Sequence, residues 1–465
     1  MQMNSKWLIL LITLISSCTA FATDLLEAYN LALTSDPTYL QSVASLRATK
    51  QNLPISVAQL LPHLSGSANS SITKTHDFDA IQQGLTPITT VKYYKLSLSV
   101  TQTVFDFAQF STVGASYSTS KSADAQLNAA LQSLMTRVAS AYFAVLRDQE
   151  TLTYARASKD AYAKEFDQVK EQYKVGVKTI TDLYTAESAY DASIAQVIAA
   201  ETTLTDDKEN LRVITGQYPE SLASLSEDFP LVSPQPHDIE AWTTKALKYN
   251  WSIKAAQETA NAALYQIRTQ FAGHLPTMQL QGGLDRIYQN NIGGGRINEG
   301  PFTQGVAIST DKTVGVNINI PIFAGGAVVA ETRQAAYNYD ASKQALEQAI
   351  RNTINTTRQS YLGIISGISQ IKADKQAVKS AMSSLAGMEE GYRVGTQTLF
   401  DVLNQRQNVY QYQSNYARDR YNLLNSILAL KQAAGTLRAE DLQAINGWLT
   451  VTKKTKKKRD IFKDQ

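Results

Sequence analysis

Two spacings of apolar residues divide this chain into helices and strands. From Asp24 to about Leu61 the spacing is helical, with Leu25, Tyr29, Ala32 and Leu33 on one face. Asp36-Pro37 ends or kinks that helix, and a second runs from Pro37 to Gln59. Past Pro62 the period becomes two. Tyr94, Leu96, Leu98, Val100 and Val104 alternate with Lys95, Ser97, Ser99, Thr101 and Thr103. Later, Val314, Val316, Ile318, Ile320 and Ile322 alternate with Gly315, Asn317 and Asn319. Weaker runs, Leu64 to Thr75 and Met278 to Gln289, precede them. The pattern therefore predicts two β-hairpins, over 64–105 and 278–323, with loops His76 to Thr89 and Asn290 to Lys312. The helical spacing then returns over long distances. Leu127, Leu131, Leu134, Val138, Tyr142 and Val145 form one stripe, and Leu346, Ile350, Ile354, Tyr361, Ile364, Ile368 and Ile371 form another. From Ala108 to Val175 nothing breaks the pattern, which predicts one helix roughly 100 Å long at 1.5 Å per residue. Such length favours coiled-coil packing over a compact domain.

The pattern occurs twice. Tyr173, Gly176 and Asp182 answer Tyr392, Gly395 and Asp401 at one offset of 219. Leu61-Pro62 answers Leu275-Pro276 at 214, and Val104-Phe105 answers Ile322-Phe323 at 218. Ordered anchors at a slowly growing offset mark a tandem duplication. The expected division is a signal segment at 1–22, a first repeat at 23–217 and a linker at 218–237. A second repeat at 238–437 and a tail at 438–465 complete it. Each repeat carries a helical hairpin whose tip is a Val-Gly pair, Val175-Gly176 or Val394-Gly395. The glycine suits the end of one helix, and the Thr and Asp beyond it suit the first turn of the next.

Composition narrows the setting. Among 465 residues the formal net charge is +3, which argues against a nucleic-acid binder. Mean hydropathy is slightly negative, which excludes a bundle of membrane-spanning helices. Trp7 to Ile15 is apolar but too short to span, and Ala20-Phe21-Ala22 completes a cleavable export signal. The alternative is a lipoprotein, with Cys18 acylated instead of removed. Either way the chain is exported.

No catalytic constellation emerges. His63, His76, His237 and His274 lack metal-ligand spacing, and Gly293-Gly294-Gly295 lacks the strand-to-helix setting of a phosphate loop. These features point away from an enzyme, a metal site or a cofactor. Lys453 to Arg459 reads as a solvated basic tail. The alternating strands fit a half-buried soluble sheet or the wall of a transmembrane barrel with small polar residues inward. Four strands cannot close a barrel, so a membrane wall needs several chains.

The duplication, the Leu-Pro before each first strand, Ile320-Pro321-Ile322-Phe323-Ala324-Gly325-Gly326, the two Val-Gly tips and Ala434-Gly435-Thr436-Leu437 stand in fixed order. Together they resemble the TolC family of outer-membrane export channels, over all of the mature chain. The resemblance implies a membrane α+β fold. A homotrimeric twelve-stranded barrel, four strands per chain, is continued by a tunnel of long helices with an equatorial domain around it. The implied function is a passive exit duct for a tripartite efflux pump or a type I secretion system. Its implied partners are a periplasmic adaptor, an inner-membrane pump or ABC transporter, and outer-membrane lipid. The lipoprotein (OprM-like) branch is the near alternative, and a non-conducting periplasmic scaffold is an alternative of another class.

The resemblance also assigns residues. A gate network falls on Glu165, Thr181, Asp182, Glu389, Tyr392 and Gln397. Glu165 stands where the family has glutamine, and Gln397 where it has the arginine that links to the first-half aspartate. Arg393 and Lys178 are candidate substitutes. The lumen constriction falls on Asp401 and Asn404, so one carboxylate survives of two, and Asp182 and Asp401 suit helix capping as well. Adaptor docking falls on Val175, Gly176, Val394 and Gly395.

Overall fold

The proline-free stretches fold as the longest helices of the computed structural model, which describes residues 23–76, 88–226, 229–292 and 305–450. The signal segment with Cys18, the Gly293–Gly295 run and the Lys453–Arg459 cluster lie outside the described residues. In chain order the elements are α1 (Leu25–Ser35), α2 (Pro37–Lys50), α3 (Asn52–Ala58), β1 (His63–His76) and β2 (Ile88–Phe105). The long hairpin α4 (Phe107–Lys174) and α5 (Ile180–Thr215) follows, then β3 (Ser224–Leu225), α6 (Ile239–Tyr249) and α7 (Trp251–Phe271). The second copy continues with β4 (Thr277–Ile292), β5 (Gly305–Asn319), α8 (Ala327–Arg393) and α9 (Leu399–Ala433). It closes with α10 (Ala439–Asn446) and β6 (Leu449–Thr450).

Three boundaries differ from the sequence pattern. The helix expected over Pro37 to Gln59 breaks at Gln51. Pro54 has no N–H to give the Lys50 carbonyl, and its ring crowds that carbonyl. The loop expected over Asn290 to Lys312 is shorter, because Asn290, Tyr288 and Leu284 pair with Val306, Ile308 and Lys312 and extend the ladder. The last strand stops at Asn319 instead of Phe323, since Pro321 cannot donate to a ladder.

The chain forms two compact units, each drawing on both repeats. One comprises 44–126 and 252–349 and holds an antiparallel sheet in the order β1-β2-β4-β5. β1 and β5 are its edges. The register puts Leu98 opposite Leu284 and Gly66, and Val316 opposite Leu280, so the aliphatic positions of all four strands share one face. Ser97, Asp285, Gln281 and Asn317 lie on the other. Many of the aliphatic side chains are open, among them Leu96, Leu98, Val314, Val316 and Ile318. An apolar face left uncovered on every strand marks a surface that meets something other than water. In the same unit α4 and α7 pack closely, with Ser122 donating to the Ala255 carbonyl at 2.9 Å.

The other unit comprises 1–43, 127–251 and 350–465. Its core takes Leu134, Val138, Tyr142 and Val145 from α4, Ile364, Ile368 and Ile371 from α8, and Leu423, Leu424 and Leu428 from α9. These are largely the expected stripes, whereas Leu127, Leu346, Ile350 and Ile354 are only half-buried. The Tyr142 hydroxyl lies 3.1 and 3.0 Å from the carbonyls of Thr23 and Ala223. The stretch read as a linker contributes β3, which pairs with β6. Part of the stretch read as a tail folds as α10, with Leu442 and Ile445 buried and Asn446 accepting from the Leu25 N–H at 3.1 Å. A buried cation lies deep in this unit. Arg420 reaches Glu150 at 3.3 Å and the Ser226 carbonyl at 2.9 Å, and Tyr421 donates to the same glutamate at 2.6 Å. Breaking such a buried pair leaves an uncompensated charge.

Two glycines at helix ends separate conformation from crowding. Gly435 has φ +68°, and a Cβ there would meet the Tyr249 carbonyl oxygen at 2.3 Å. Gly176 has φ +76° with nothing within 4 Å. Gly176→Ala should therefore cost only the left-handed backbone penalty of about 1–2 kcal/mol. Gly435→Ala should cost clearly more, because backbone must move. Denaturant unfolding of the two variants checks this; equal losses would contradict the packing described.

Candidate functional site: the helical tips

The two tips are built alike. α4 ends in a Schellman turn, in which Gly176 N–H donates to the Tyr173 carbonyl and Val177 N–H to Gln172, both at 2.9 Å. α8 ends the same way, with Gly395 N–H on Tyr392 at 3.2 Å and Thr396 N–H on Gly391 at 2.8 Å. Each following helix opens on a capping box. Asp182 N–H donates to the Thr179 hydroxyl at 3.1 Å, and the Asp182 carboxylate accepts from the Thr179 N–H at 3.2 Å and hydroxyl at 2.9 Å. Thr398 and Asp401 repeat this at 3.2, 3.1 and 2.6 Å. The Thr398 hydroxyl and then its N–H hold the Asp401 carboxyl below the usual carboxylate range. Val175, Gly176, Val394 and Gly395 project from these turns and are exposed.

Behind the turns the hairpins share a small core. Tyr162 and Val169 of α4, Ala186 of α5, and Leu399 and Leu403 of α9 are buried together. The rings of Phe166 and Tyr190 stack at 5.9 Å. The Tyr162 hydroxyl donates to the Leu403 carbonyl at 3.1 Å and ties the first hairpin to the second.

A charge cluster sits against this core. Arg406 of α9, with its side chain only 11% exposed, donates to Glu389 of α8 at 2.7 Å. Its guanidinium lies 5.6 Å from the Tyr162 ring centroid. Lys178 stands over the Tyr392 ring at 4.2 Å. Glu165 Oε1, the Tyr392 hydroxyl and Arg406 Nη1 are buried without a hydrogen-bond partner. Burial pushes the Glu165 carboxyl up and the Glu389 charge adds to the rise, while Arg406 and Lys178 oppose it. Unpaired buried polar atoms of opposite kind within one cluster make an arrangement held together but not saturated.

Of the residues assigned from the sequence, the structure gathers Glu165, Glu389 and Tyr392. Asp182 and Asp401 are engaged in their own caps. Thr181 is exposed and lines a groove between α5 and α9 with Ile180, Tyr184, Phe400 and Asn404. Gln397 is also exposed; its Cγ lies 2.7 Å from where a Cβ on Gly391 would be, and among the described residues its side chain makes no hydrogen bond. Of the two candidate substitute cations, Arg393 goes to Glu390 on its own helix, whereas Lys178 reaches the edge of the cluster over the Tyr392 ring. The cation in the cluster is Arg406, which the sequence reading missed. A signal was present. Leu399, Val402, Leu403, Val409 and Tyr410 form the apolar stripe of α9, and Arg406 falls within it.

The fold and its tips define a class, a channel subunit with an amphipathic sheet and two long helical hairpins that end in matched turns. The chain belongs to the outer membrane efflux protein family, whose model matches residues 28–217 and 242–436. Outer membrane protein TolC of Vibrio cholerae is 33% identical over 442 residues, covering 94% of this chain and 96% of the relative. The alkaline protease secretion protein AprF of Pseudomonas aeruginosa is 27% identical, covering 96% and 91%. The crystal structure of the Campylobacter jejuni CmeC outer membrane channel superposes with a TM-score of 0.74 at 17% identity, covering 91% of this chain and 89% of that one. The protein is thus an outer-membrane channel that provides an exit duct, and its family is one of transporters, not of enzymes.

Two outcomes test this site. A raised carboxyl in the packed tip binds a proton that the unfolded segment has already released. Stability of the tip is then greatest at low pH and falls as pH climbs from the ordinary glutamate value to the raised one. Amide exchange near Tyr162 and Val169 should accelerate over that interval, and Glu165→Gln should flatten the dependence; an unchanged profile in the variant would assign it elsewhere. Thr398→Ala removes a cap and should cost about 1 kcal/mol. Exchange at the start of α9 should rise while that at the start of α5 stays put.

Proposed function

We propose that three copies of the chain close a twelve-stranded barrel in the outer membrane, continued by a periplasmic tunnel built from α4, α5, α8 and α9 of each copy. The observation that carries this reading is the sheet itself. Its lipid-suited face is complete across four strands, but β1 and β5 are unpaired edges. An open edge cannot sit in hydrocarbon, because its N–H and C=O groups find no partner there. Identical copies joined edge to edge remove the problem.

The duct serves efflux, type I secretion or both. The sheer likeness to a TolC and to a protein named for protease secretion supports both uses. An inner-membrane pump or ABC transporter supplies the energy, and a periplasmic adaptor joins it to the channel. The adaptor docks on Val175-Gly176 and Val394-Gly395, where exposed turns allow close approach of another helix. The gate is the cluster of Glu165, Glu389, Tyr392 and Arg406, with Lys178 at its border. Arg406 does the work expected of the absent arginine, from within α9 instead of from the turn before it that holds Gln397. Thr181, Asp182 and Gln397 lie at its rim. Asp401 and Asn404 form the constriction, and the cap on Asp401 leaves it a weaker attraction for cations than a free carboxylate ring.

The barrel reading is tested by charge on each face. Leu98→Arg, on the aliphatic face between the Tyr94 and Phe105 levels, should impair assembly by about 2–4 kcal/mol, whereas Ser97→Arg should be tolerated. Crosslinking and outer-membrane fractionation report the outcome. A monodisperse monomer of native fold, or equal tolerance on both faces, would contradict the assembly. A chain that is exported but never conducts in planar bilayers would be a scaffold.

A further inference from the structure

The two faces of the sheet treat their cations differently. On the polar face Lys95 meets Asp285 at 2.9 Å, so its charge is neutralised in place. On the aliphatic face the register sets Arg286 opposite Leu96 and Thr310, and Lys312 opposite Leu284. They are diagonal neighbours across the β4–β5 ladder, close enough for two long side chains to converge. Both are exposed, and among the described residues neither has a carboxylate partner. Cations on a face otherwise suited to lipid are costly unless something anionic meets them.

Their height on the strand says what that is. The Tyr94 and Tyr288 rings pair at 5.8 Å on the same face, one pleat repeat beyond Arg286. Phe105 and Phe110 pair at 6.3 Å at the other end of the sheet. From Tyr94 to Phe105 the strand climbs roughly 28 Å at the usual rise and tilt, the height of an apolar band between two aromatic girdles. Arg286 therefore lies just inside one interface, where an extended cationic side chain reaches the headgroup layer. Beside it is a shallow groove lined by Gly66, Ala68, Leu96, Leu98 and Leu284. Gly66, which has no side chain, and the small Ala68 leave room that their neighbours do not fill.

We propose that this groove is a binding site for a phosphorylated lipid of the surrounding membrane, its phosphate on Arg286 and Lys312 and one acyl chain along Gly66 and Ala68. The proposal rests on the barrel-wall reading given above. Its chemistry is a charge-assisted pair with a phosphate oxygen, for which guanidinium is the best-matched donor. Occupancy would fix one lipid against the β1–β2–β4 surface of each chain.

The test uses the full-length protein in detergent micelles, titrated with phosphatidic acid and with phosphatidylcholine of the same acyl chains and followed by native mass spectrometry. The wild type should retain phosphatidic acid in preference. Arg286→Gln combined with Lys312→Gln should lower that retention several-fold, Arg286→Lys should keep most of it, and Lys95→Gln should leave it unchanged. Circular dichroism and crosslinking confirm that each variant is folded and assembled. Equal retention of the two lipids, no loss in the double variant, or displacement by inorganic phosphate alone would overturn the proposal. Loss in Lys95→Gln only would instead invert the two faces and overturn the barrel-wall reading beneath it.

Discussion

An unpaired strand edge beside an apolar face is the constraint on which this protein turns. The backbone of β1 and β5 needs partners, and hydrocarbon offers none. Water would satisfy the edges but not the row of Leu98, Val316 and Ile318 beside them. Other strands satisfy both, and this is the reasoning behind the proposed barrel of several chains. The duplication fits this economy. One unit of strand hairpin and helical hairpin, used twice, supplies two adjacent segments of wall and two tips with the same turn chemistry.

The helices solve a different problem with a recurring device. Their stripes are apolar, yet each of two buried cations interrupts α9. Arg420 meets Glu150 of α4 and the Ser226 carbonyl, with Tyr421 donating to the same carboxylate, and leaves only its buried Nε unmatched among that group. Arg406 meets Glu389 of α8 but leaves Nη1, Glu165 Oε1 and the Tyr392 hydroxyl unmatched. Saturated buried networks hold one arrangement, whereas a partly matched one lies closer in energy to its alternatives. On the gate reading proposed above, the Arg406 cluster, with more unmatched buried atoms than the Arg420 site, is the arrangement more readily changed. The caps at Thr179 and Thr398 hold the starts of α5 and α9 at the same tip.

Much of this was legible in the residues. The helix expected over Ala108 to Val175 is α4 within a residue at each end, because proline is absent and the stripe never lapses. The strand pairs followed from the period of two. What escaped had local causes. Pro54 cut a helix that its apolar spacing carried through. The second hairpin loop looked longer than it is because Asn290 and Gly305 are poor strand formers, yet they lie in a ladder held by Tyr288 and Ile308. At the tip, position-by-position resemblance led to Gln397, with Arg393 and Lys178 as candidate substitutes. It overlooked Arg406, whose burial shows only when the α9 stripe is read as a stripe. Asp182 and Asp401 were readable either as caps or as charges aimed at a lumen, and within the chain they act as caps.

The central claim is that the Arg406 cluster holds the tip shut. Single-channel conductance of the reconstituted protein tests it most directly, comparing wild type with Arg406→Gln and with Arg393→Gln. Arg393 carries the same charge at the same tip but pairs only with its helical neighbour Glu390. The account predicts that Arg406→Gln opens a larger and longer-lived conductance while Arg393→Gln matches the wild type. Equal conductance in all three, or opening by Arg393→Gln alone, would contradict it.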